Sequence, residues 1–242
     1  MNLIIDVGNT FVKLAGFEKD KLVFRETTKL SGVVEVVNKL KESYPELKQG
    51  IVSSVGRLKS KQIDAISKNF NVLELTHKTK VPFKNSYDTP KTLGIDRIAL
   101  VSASVYHYPD NNVLIIDAGT CITYDFITDK NEYLGGAISP GLRIRYKGLN
   151  NLTANLPLLE TKIPKHFLGT STNSSIHSGV VNGVVNEIDG FISAYKDKYP
   201  DLTVILTGGD ANFLSEQLKS SIFANSNFLL EGLNYILEFN TN

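Results

Sequence analysis

The chain is poor in cysteine, and Cys121 is the only one among its 242 residues. An intrachain disulfide is therefore excluded, and this usage fits a reducing compartment. Long apolar runs are also missing, since no uninterrupted stretch approaches the ~20 residues of a membrane-spanning helix. The first residues lead directly into a short apolar run that ends at Asp6, without the basic region and long apolar core of a signal peptide. We expect a cytoplasmic protein with no membrane partner.

The chain also lacks an excess of charge of either sign. It has 26 Lys and Arg against 25 Asp and Glu, which gives a formal net charge of +1. Proteins that bind nucleic acid or anionic membranes usually carry a marked excess of basic residues. The composition therefore gives no reason to expect a nucleic-acid partner.

Familiar phosphate and metal motifs are missing as well. The spacing of Gly136 and Gly141 is that of a P-loop, but Leu142 and Arg143 follow where Lys and Ser or Thr are required. The four histidines do not have the spacing of metal ligands, so a histidine-based metal site is not expected. A phosphate site, if present, must use another kind of turn.

Two segments, Asp6–Thr10 and Asp117–Thr120, share one pattern. Each follows an apolar run, Leu3–Ile5 or Val113–Ile116, that predicts a buried strand. The pattern puts an Asp at the end of the strand, a Gly where the chain turns tightly, and then a Thr. Backbone N–H groups in such a turn can hold phosphate oxygens, and the Asp can hold a cation or its water. We expect both turns to contribute to a nucleotide site.

The spacing of these turns predicts a duplication. The two aspartates are 111 positions apart (117 − 6), close to half of the 242-residue chain. After each turn the pattern predicts two further strands without a helix between them, which makes the sheets mixed, and later strands alternate with helices. We predict an α/β fold with two similar domains, each a mixed sheet flanked by helices, spanning residues 1–111 and 112–242 and facing each other across a nucleotide.

Glycine-rich segments follow in the second half. Gly135–Gly141 predicts a dense turn that leads into a helix. Gly208–Asp210 follows a predicted buried strand, and its glycines would let a nucleotide base or ribose approach the backbone. Thr172 opens a long apolar helix, where it could cap the helix or bond a polar ligand.

Asp96 and Arg97 fall in the first turn of a predicted helix that begins after Gly94. An Asp in this turn is favourable for the helix dipole, but an Arg is not. A carboxylate that can accept a proton, beside a guanidinium that can hold an acidic substrate, gives a functional reason for the pair. Spacing alone leaves both interpretations open, as it does for Lys13, which could reach the phosphates or be solvated.

Taken together, these motifs resemble the type III pantothenate kinase family of the actin, Hsp70 and sugar kinase superfamily. The resemblance extends over nearly the whole chain and depends on the order and spacing of the motifs. The matching segments are Asp6–Thr10 with Lys13, Tyr87 before Gly94–Arg97, Asp117–Thr120, Gly135–Gly141, the Thr172 segment and Thr207–Asp210.

The resemblance implies ATP-dependent phosphorylation of pantothenate to 4′-phosphopantothenate, the first step of coenzyme A biosynthesis. It implies Asp96 as the general base, Mg²⁺ reached by Asp6 through phosphate or water, and a monovalent cation, K⁺ or NH₄⁺, at Asp117. The implied ATP-binding residues are Asp6, Val7, Gly8, Asn9, Thr10, Phe11, Val12, Lys13 and Thr120. The implied substrate-binding residues are Tyr87, Gly94, Ile95, Asp96, Arg97 and Thr172.

The resemblance also implies a homodimer with pantothenate near the subunit interface, for which the helices after Gly141 and Thr172 are candidates. The chain departs from the family pattern at four positions, Ser171, Ser175, Arg143 and Arg145, which bear on the pocket and the dimer contact. Two other functions stay open. One is a different small-molecule kinase of the superfamily, and the other is a non-catalytic transcription-accessory regulator on the same scaffold.

Overall fold

The structure is a computed structural model that describes residues 1–8, 11–54, 58–68 and 70–241. It divides into two compact units. The first consists of Met1–Pro109 together with Asn227–Asn242, and the second of Asp110–Ser226.

The described residues of the first unit form a mixed sheet of five strands. They are β1 (Asn2–Val7), β2 (Val12–Glu18), β3 (Lys21–Thr28), β4 (Gln49–Ser54) and β5 (Asn71–Glu74). Their order is β3-β2-β1-β4-β5, with β1 antiparallel to β2 and parallel to β4. Every residue of β1 is buried, because this central strand is covered on both faces.

Helices α1 (Val33–Ser43), α2 (Ser60–Ser67) and α3 (Ile95–His107) complete this part of the unit, with the short strand β6 (Lys84–Asn85) before α3. The apolar residues of α1 recur at helical spacing and share one core with the central strands. In α3 nearly every residue from Ile95 to Ser104 is buried, so this helix belongs to the interior of its unit.

The second unit repeats the sheet order of the first. Its strands are β7 (Val113–Ala118), β8 (Cys121–Ile127), β9 (Glu132–Pro140), β10 (Thr203–Thr207) and β11 (Phe223–Ala224). They lie in the order β9-β8-β7-β10-β11, which matches β3-β2-β1-β4-β5 strand for strand. The predicted fold class, two similar mixed-sheet domains of α/β type, is confirmed.

One local prediction was wrong. Gly135–Gly141 was expected to form a turn, but residues up to Pro140 continue β9, which pairs antiparallel with β8. Gly135 has φ +112° beside the point where the register shifts, which is the geometry of a bulge. At Gly136 an added Cβ would lie 1.6 Å from the Tyr124 carbonyl oxygen. The glycines therefore serve a bulge and a close backbone approach inside the strand.

Along the chain, the α-helices of the second unit come after β9 and before β11. They are α4 (Leu142–Asn151), α5 (Thr172–His177), α6 (Gly183–Lys198) and α7 (Ala211–Ser215). Ser178–Asn182 forms a π-helical turn that joins α5 to α6, so the long helix predicted after Thr172 is confirmed. The apolar side of this helix packs with β7, β8 and β10 in one core.

The C-terminal helix α8 (Phe228–Thr241) belongs to the first unit, whereas the sequence analysis assigned it to the second domain. The reason is a close contact with α3, where a Cβ added to Gly232 would lie 1.9 Å from the Ala99 carbonyl oxygen. Asn234 also accepts a hydrogen bond from Asn2 on β1 at 2.8 Å. Among the residues that the structure describes, no helix has both the length and the apolar character to cross a membrane.

Replacing Gly232 with Ala should destabilise the protein by about 1–3 kcal/mol, because the new methyl group would meet the rigid backbone of α3. Chemical denaturation measures the change. The matched control is Gly190→Ala on α6, where an added Cβ has no heavy atom within 4 Å among the described residues. That variant should gain about 0.5–1 kcal/mol from the better helix propensity of Ala. Equal shifts in the two variants would contradict the close contact.

Candidate functional site

The first candidate turn begins at Asp6, near the end of β1. The strand register places Lys13 of β2 and Ser53 of β4 on either side of it. Cross-strand neighbours of this kind project from the same face of a sheet. The Gly8 N–H donates to the Phe11 carbonyl at 3.1 Å and closes the turn.

Two residues of this turn that were predicted to bind ATP, Asn9 and Thr10, lie outside the described residues. The side chains of Val7 and Val12 are buried in the core of the first unit, so they can offer a ligand only their backbone. The Phe11 ring is about half exposed.

The Asp6 carboxyl is only 8% exposed. Burial raises its pKa to about 6, with Lys13 acting to lower the pKa and Asp96 acting to raise it. The structure therefore brings Asp6, Lys13 and Asp96 close enough to interact electrostatically. A carboxylate that is costly to ionise is well suited to a bound cation, which would stabilise its charged form.

Asp96 lies in the first turn of α3, after the N-cap residue Gly94 and the buried Ile95. Its Oδ1 accepts a hydrogen bond from the Arg97 N–H at 2.9 Å. A Cβ on Gly94 would lie 2.3 Å from this oxygen, so a glycine is needed for the carboxylate to adopt this position. Asp96 itself is half-buried and keeps access to solvent.

Arg97 is 5% exposed, which is unusual for an arginine. Its guanidinium carbon lies 5.5 Å from the centroid of the Tyr87 ring, within the range of a cation–π interaction. The structure thus places Tyr87 beside Arg97, which follows Asp96 in the chain.

In the second unit Asp117 occupies the position on β7 that Asp6 has on β1. The register places Thr123 of β8 and Thr207 of β10 beside it. The Thr123 hydroxyl is buried and has no hydrogen-bond partner among the described residues. Gly208 has φ +97°, and a Cβ there would lie 2.4 Å from Asp117 Oδ1. Asp117, Thr123 and Thr207 each carry a side-chain oxygen. Oxygen ligands of this kind suit a hard cation.

Thr123 was missed by the sequence analysis, although the hairpin register of β7 and β8 could have indicated it. Thr120 is exposed, as a phosphate-binding residue should be. The Gly141 N–H donates to its carbonyl at 3.1 Å, and the Asp210 N–H donates to the Ala118 carbonyl at 2.9 Å. Two glycine-containing segments therefore support the Asp117–Thr120 turn.

Thr172 is exposed and is the first residue of α5. The helix cap is Ser171, whose Oγ accepts from the Ser174 N–H at 3.3 Å, while Ser174 Oγ accepts from the Ser171 N–H at 2.9 Å. The interpretation of Thr172 as the cap was wrong, because the preceding serine and Ser174 form a reciprocal capping box. The Ser171 departure from the family pattern is thereby explained locally.

Across residues 1–8, 11–54, 58–68 and 70–241, no group of three or more His, Cys, Asp or Glu side chains could hold a metal ion. Magnesium in phosphoryl-transfer sites commonly keeps several waters and uses one or two carboxylates with substrate phosphates. A single buried carboxylate such as Asp6 fits that mode.

Comparison with known solved structures supports the fold. A protein of Campylobacter jejuni assigned to the Baf family of transcriptional activators matches with a TM-score of 0.65 and 22% identity, covering 98% of both chains. A glucokinase from an Antarctic psychrotroph matches with a TM-score of 0.53 and 11% identity, again covering 98% of both chains. At these identities the likeness shows the fold alone, and it confirms the predicted sugar-kinase-like scaffold.

Sequence comparison is more specific. The sequence profile described as type III pantothenate kinase matches residues 2–194. A type III pantothenate kinase of Christiangramia forsetii is 53% identical over 240 residues, covering 99% of each chain. The chain therefore belongs to the type III pantothenate kinase family.

Proposed function

We propose that this chain transfers the γ-phosphoryl group of ATP to the hydroxyl of pantothenate and forms 4′-phosphopantothenate, the first step of coenzyme A biosynthesis. Family membership supports the reaction. The observation that carries the chemistry is Asp96, fixed at the start of α3 beside Arg97 and interacting electrostatically with Asp6.

Phosphoryl transfer depends mainly on positioning and on neutralising charge. In our proposal Asp96 accepts the proton of the pantothenate hydroxyl as the phosphoryl group arrives. Arg97 holds the substrate carboxylate, since a planar guanidinium recognises carboxylates through paired hydrogen bonds. The Tyr87 ring keeps that guanidinium in place, and Gly94 leaves room for the Asp96 carboxylate.

Thr172 is also assigned to substrate binding, as the family resemblance implies; its side chain is exposed and is not used as the cap of α5. Ile95 is buried in α3, so only the small exposed part of this residue could contact the substrate.

The ATP phosphates are assigned to the turn after β1 and to Thr120. Lys13 of β2, the register partner of Asp6, supplies a positive charge beside this turn. Mg²⁺, when bound, neutralises phosphate charge, and Asp6 is the carboxylate that would hold it through water. A cation near Asp6 would also offset the cost of ionising this buried group.

A monovalent cation, K⁺ or NH₄⁺, is assigned to Asp117. The supporting observations are the buried Thr123 hydroxyl beside it and the close approach of the Gly208 backbone to Asp117 Oδ1, which an added Cβ would obstruct. Carboxylate and hydroxyl oxygens are suitable ligands for a hard cation. We also propose a cytoplasmic location, because the free thiol of Cys121 is exposed and fits a reducing compartment.

The two alternatives have less support. A transcription-accessory role has a structural neighbour named for it, but at 22% identity that neighbour shares only the fold. All three carboxylates that the kinase needs, Asp6, Asp96 and Asp117, are present, and the net charge of +1 offers no surface for DNA. Another kinase of the superfamily would not be expected to match the type III profile over residues 2–194.

Replacing Asp96 with Asn should lower kcat by about 10²–10⁴ while ATP still binds, because the amide keeps the shape but cannot accept a proton. The assay measures ADP release with ATP, Mg²⁺ and pantothenate, first in K⁺ and then in Na⁺. Wild-type turnover should require pantothenate and should be faster in K⁺.

The matched control is Asp64→Asn, which removes an exposed aspartate on α2 and should leave kcat unchanged. Near-normal turnover of the Asp96→Asn variant would reject this residue as the base. A wild-type protein that released no ADP with any cation would reject the kinase proposal and favour the regulator.

The stability of the nucleotide-free protein should reveal the raised pKa of Asp6. Because the native state holds the Asp6 proton up to a pKa of about 6, its contribution is fully present below the usual value of 3.8 and is lost as pH rises through 6. The Asp6→Asn variant never ionises, so its free energy of unfolding should exceed that of wild type by on the order of 1–3 kcal/mol at pH 7.5.

Urea denaturation at pH 5 and at pH 7.5 tests this prediction. The difference between Asp6→Asn and wild type should grow with pH, while the Asp64→Asn control should track wild type throughout. A difference that stayed constant between the two pH values would show that burial does not perturb Asp6.

We further propose that the protein is a homodimer. Among the described residues, seven of the thirteen large hydrophobic side chains that are exposed fall between positions 138 and 168. Leu152 is 87% exposed, and Phe167 and Leu168 are each 77% exposed. A concentration of apolar surface on α4 and the segment after it is typical of a protein interface, and a second copy of this chain is the occupant that the family resemblance implies.

Leu152→Glu combined with Phe167→Glu should convert the dimer to a monomer, because two charges would have to be buried in the contact. Light scattering coupled to size-exclusion chromatography measures the mass, for which one chain contributes 26.7 kDa. Val23→Glu, at an exposed apolar position on β3, is the control and should leave the mass unchanged. A monomeric wild type would refute the homodimer.

A further inference from the structure

The first turn of α4 carries two arginines, Arg143 and Arg145, although a helix N-terminus disfavours positive charge. Both have found acceptors elsewhere. Arg143 donates to the Leu159 carbonyl at 3.0 Å and pairs with Glu160, whose side chain is 87% exposed. Arg145 instead contacts the end of β9 and a carboxylate on α6.

Arg145 connects the end of β9 to α6. Its Nε donates to the Pro140 carbonyl at 2.9 Å, and its Nη2 donates to Ser139 Oγ at 3.0 Å. The same Nη2 donates to Glu187 Oε2 at 2.6 Å. A single rigid guanidinium thus ties the last two residues of the strand to a carboxylate on the long helix.

Glu187 is held from a second side as well. Its Oε1 accepts a hydrogen bond from the hydroxyl of the buried Tyr124 at 3.0 Å. Burial acts to raise the pKa of Glu187, but the hydrogen bonds from Arg145, Ser139 and Tyr124 outweigh it and lower the pKa. The carboxylate therefore stays ionised, and the ion pair is present across the neutral range.

The end of β9 touches the candidate phosphate turn directly. Pro140 is the register partner of Cys121, and the Gly141 N–H donates to the Thr120 carbonyl at 3.1 Å. A Cβ on Gly141 would lie 2.2 Å from the Gly119 carbonyl oxygen, so the two backbones are in contact with no space between them. A movement of Pro140 would consequently move Gly119 and Thr120.

We propose that Arg145, with Glu187 as its partner, is a positioning residue that holds the Ser139–Gly141 segment against the Gly119–Thr120 turn and so fixes the place of the ATP phosphates. The inference rests on the proposed function to the extent that this turn binds ATP. It gives a role to an arginine whose position departs from the family pattern.

The Arg145→Met variant should raise the KM for ATP about tenfold and leave the KM for pantothenate within about twofold of wild type, because a displaced phosphate turn affects the nucleotide first. The KM for ATP of Arg145→Lys should lie between those of wild type and Arg145→Met. Lysine keeps the positive charge but lacks the planar guanidinium that donates to three acceptors. Arg143→Met is the matched control, with the same substitution in the same helical turn, and should leave both KM values unchanged.

A double-mutant cycle tests whether Arg145 and Glu187 act together or independently. If Arg145 acts through Glu187, the variant with both Arg145→Met and Glu187→Gln should have a KM for ATP no higher than that of Arg145→Met alone. Effects that simply multiplied would show two independent residues and would overturn the pairing.

Nucleotide affinity provides a readout that does not need turnover. The dissociation constant of a fluorescent ATP analogue, measured without pantothenate, should rise about tenfold in Arg145→Met and stay unchanged in Arg143→Met. A wild type that bound the analogue but released no ADP would reject the proposed function, while these affinities would still decide the inference.

The positioning role is overturned if Arg145→Met and Arg143→Met have equal KM values and equal affinities for the nucleotide. Circular dichroism checks that each variant is folded. If Arg145→Met is not, Arg145→Lys decides in its place: an affinity equal to that of wild type overturns the proposal, and a weaker one supports it.

Discussion

Each unit places a carboxylate near the end of its central strand, and the strands on both sides enclose it. In the first unit this is Asp6 on β1, between β2 and β4, and in the second it is Asp117 on β7, between β8 and β10. In both units a glycine, Gly8 or Gly119, stands two positions after the carboxylate.

Burial gives the first carboxylate its chemical character. Asp6 ionises with difficulty because water is excluded, and its interaction with Asp96 adds to that cost. Such a group destabilises the free protein and becomes favourable only when a cation or a cationic partner is present. If Asp6 binds as proposed, the protein accepts a local loss of stability that a bound nucleotide and its metal would restore.

Close backbone approach positions the rest. Gly94 leaves the Asp96 carboxylate its place at the start of α3, Gly208 lets the backbone lie close against Asp117, and Gly141 lets β9 end against the Gly119–Thr120 turn. Side chains then fix these segments from outside, as Tyr87 does for Arg97 and Glu187 does for Arg145. The groups proposed for catalysis and binding are held by strands and helices, which favours a fixed geometry.

The sequence by itself determined the apolar strands and the two Asp-x-Gly turns, because these depend on residues a few positions apart. The repetition of this local pattern along the chain predicted the duplicated order, and the order and spacing of the motifs indicated the family. The sequence also indicated Asp96 and Arg97, since an arginine in a helix's first turn is locally unfavourable. Only the tertiary structure decided that Gly135–Pro140 continue a strand, that Thr123 lies beside Asp117, that α8 packs on α3, and that Arg145 meets a carboxylate 42 positions away. Register, burial and ion pairing join segments that are distant in the chain, and no local periodicity encodes which of them will meet.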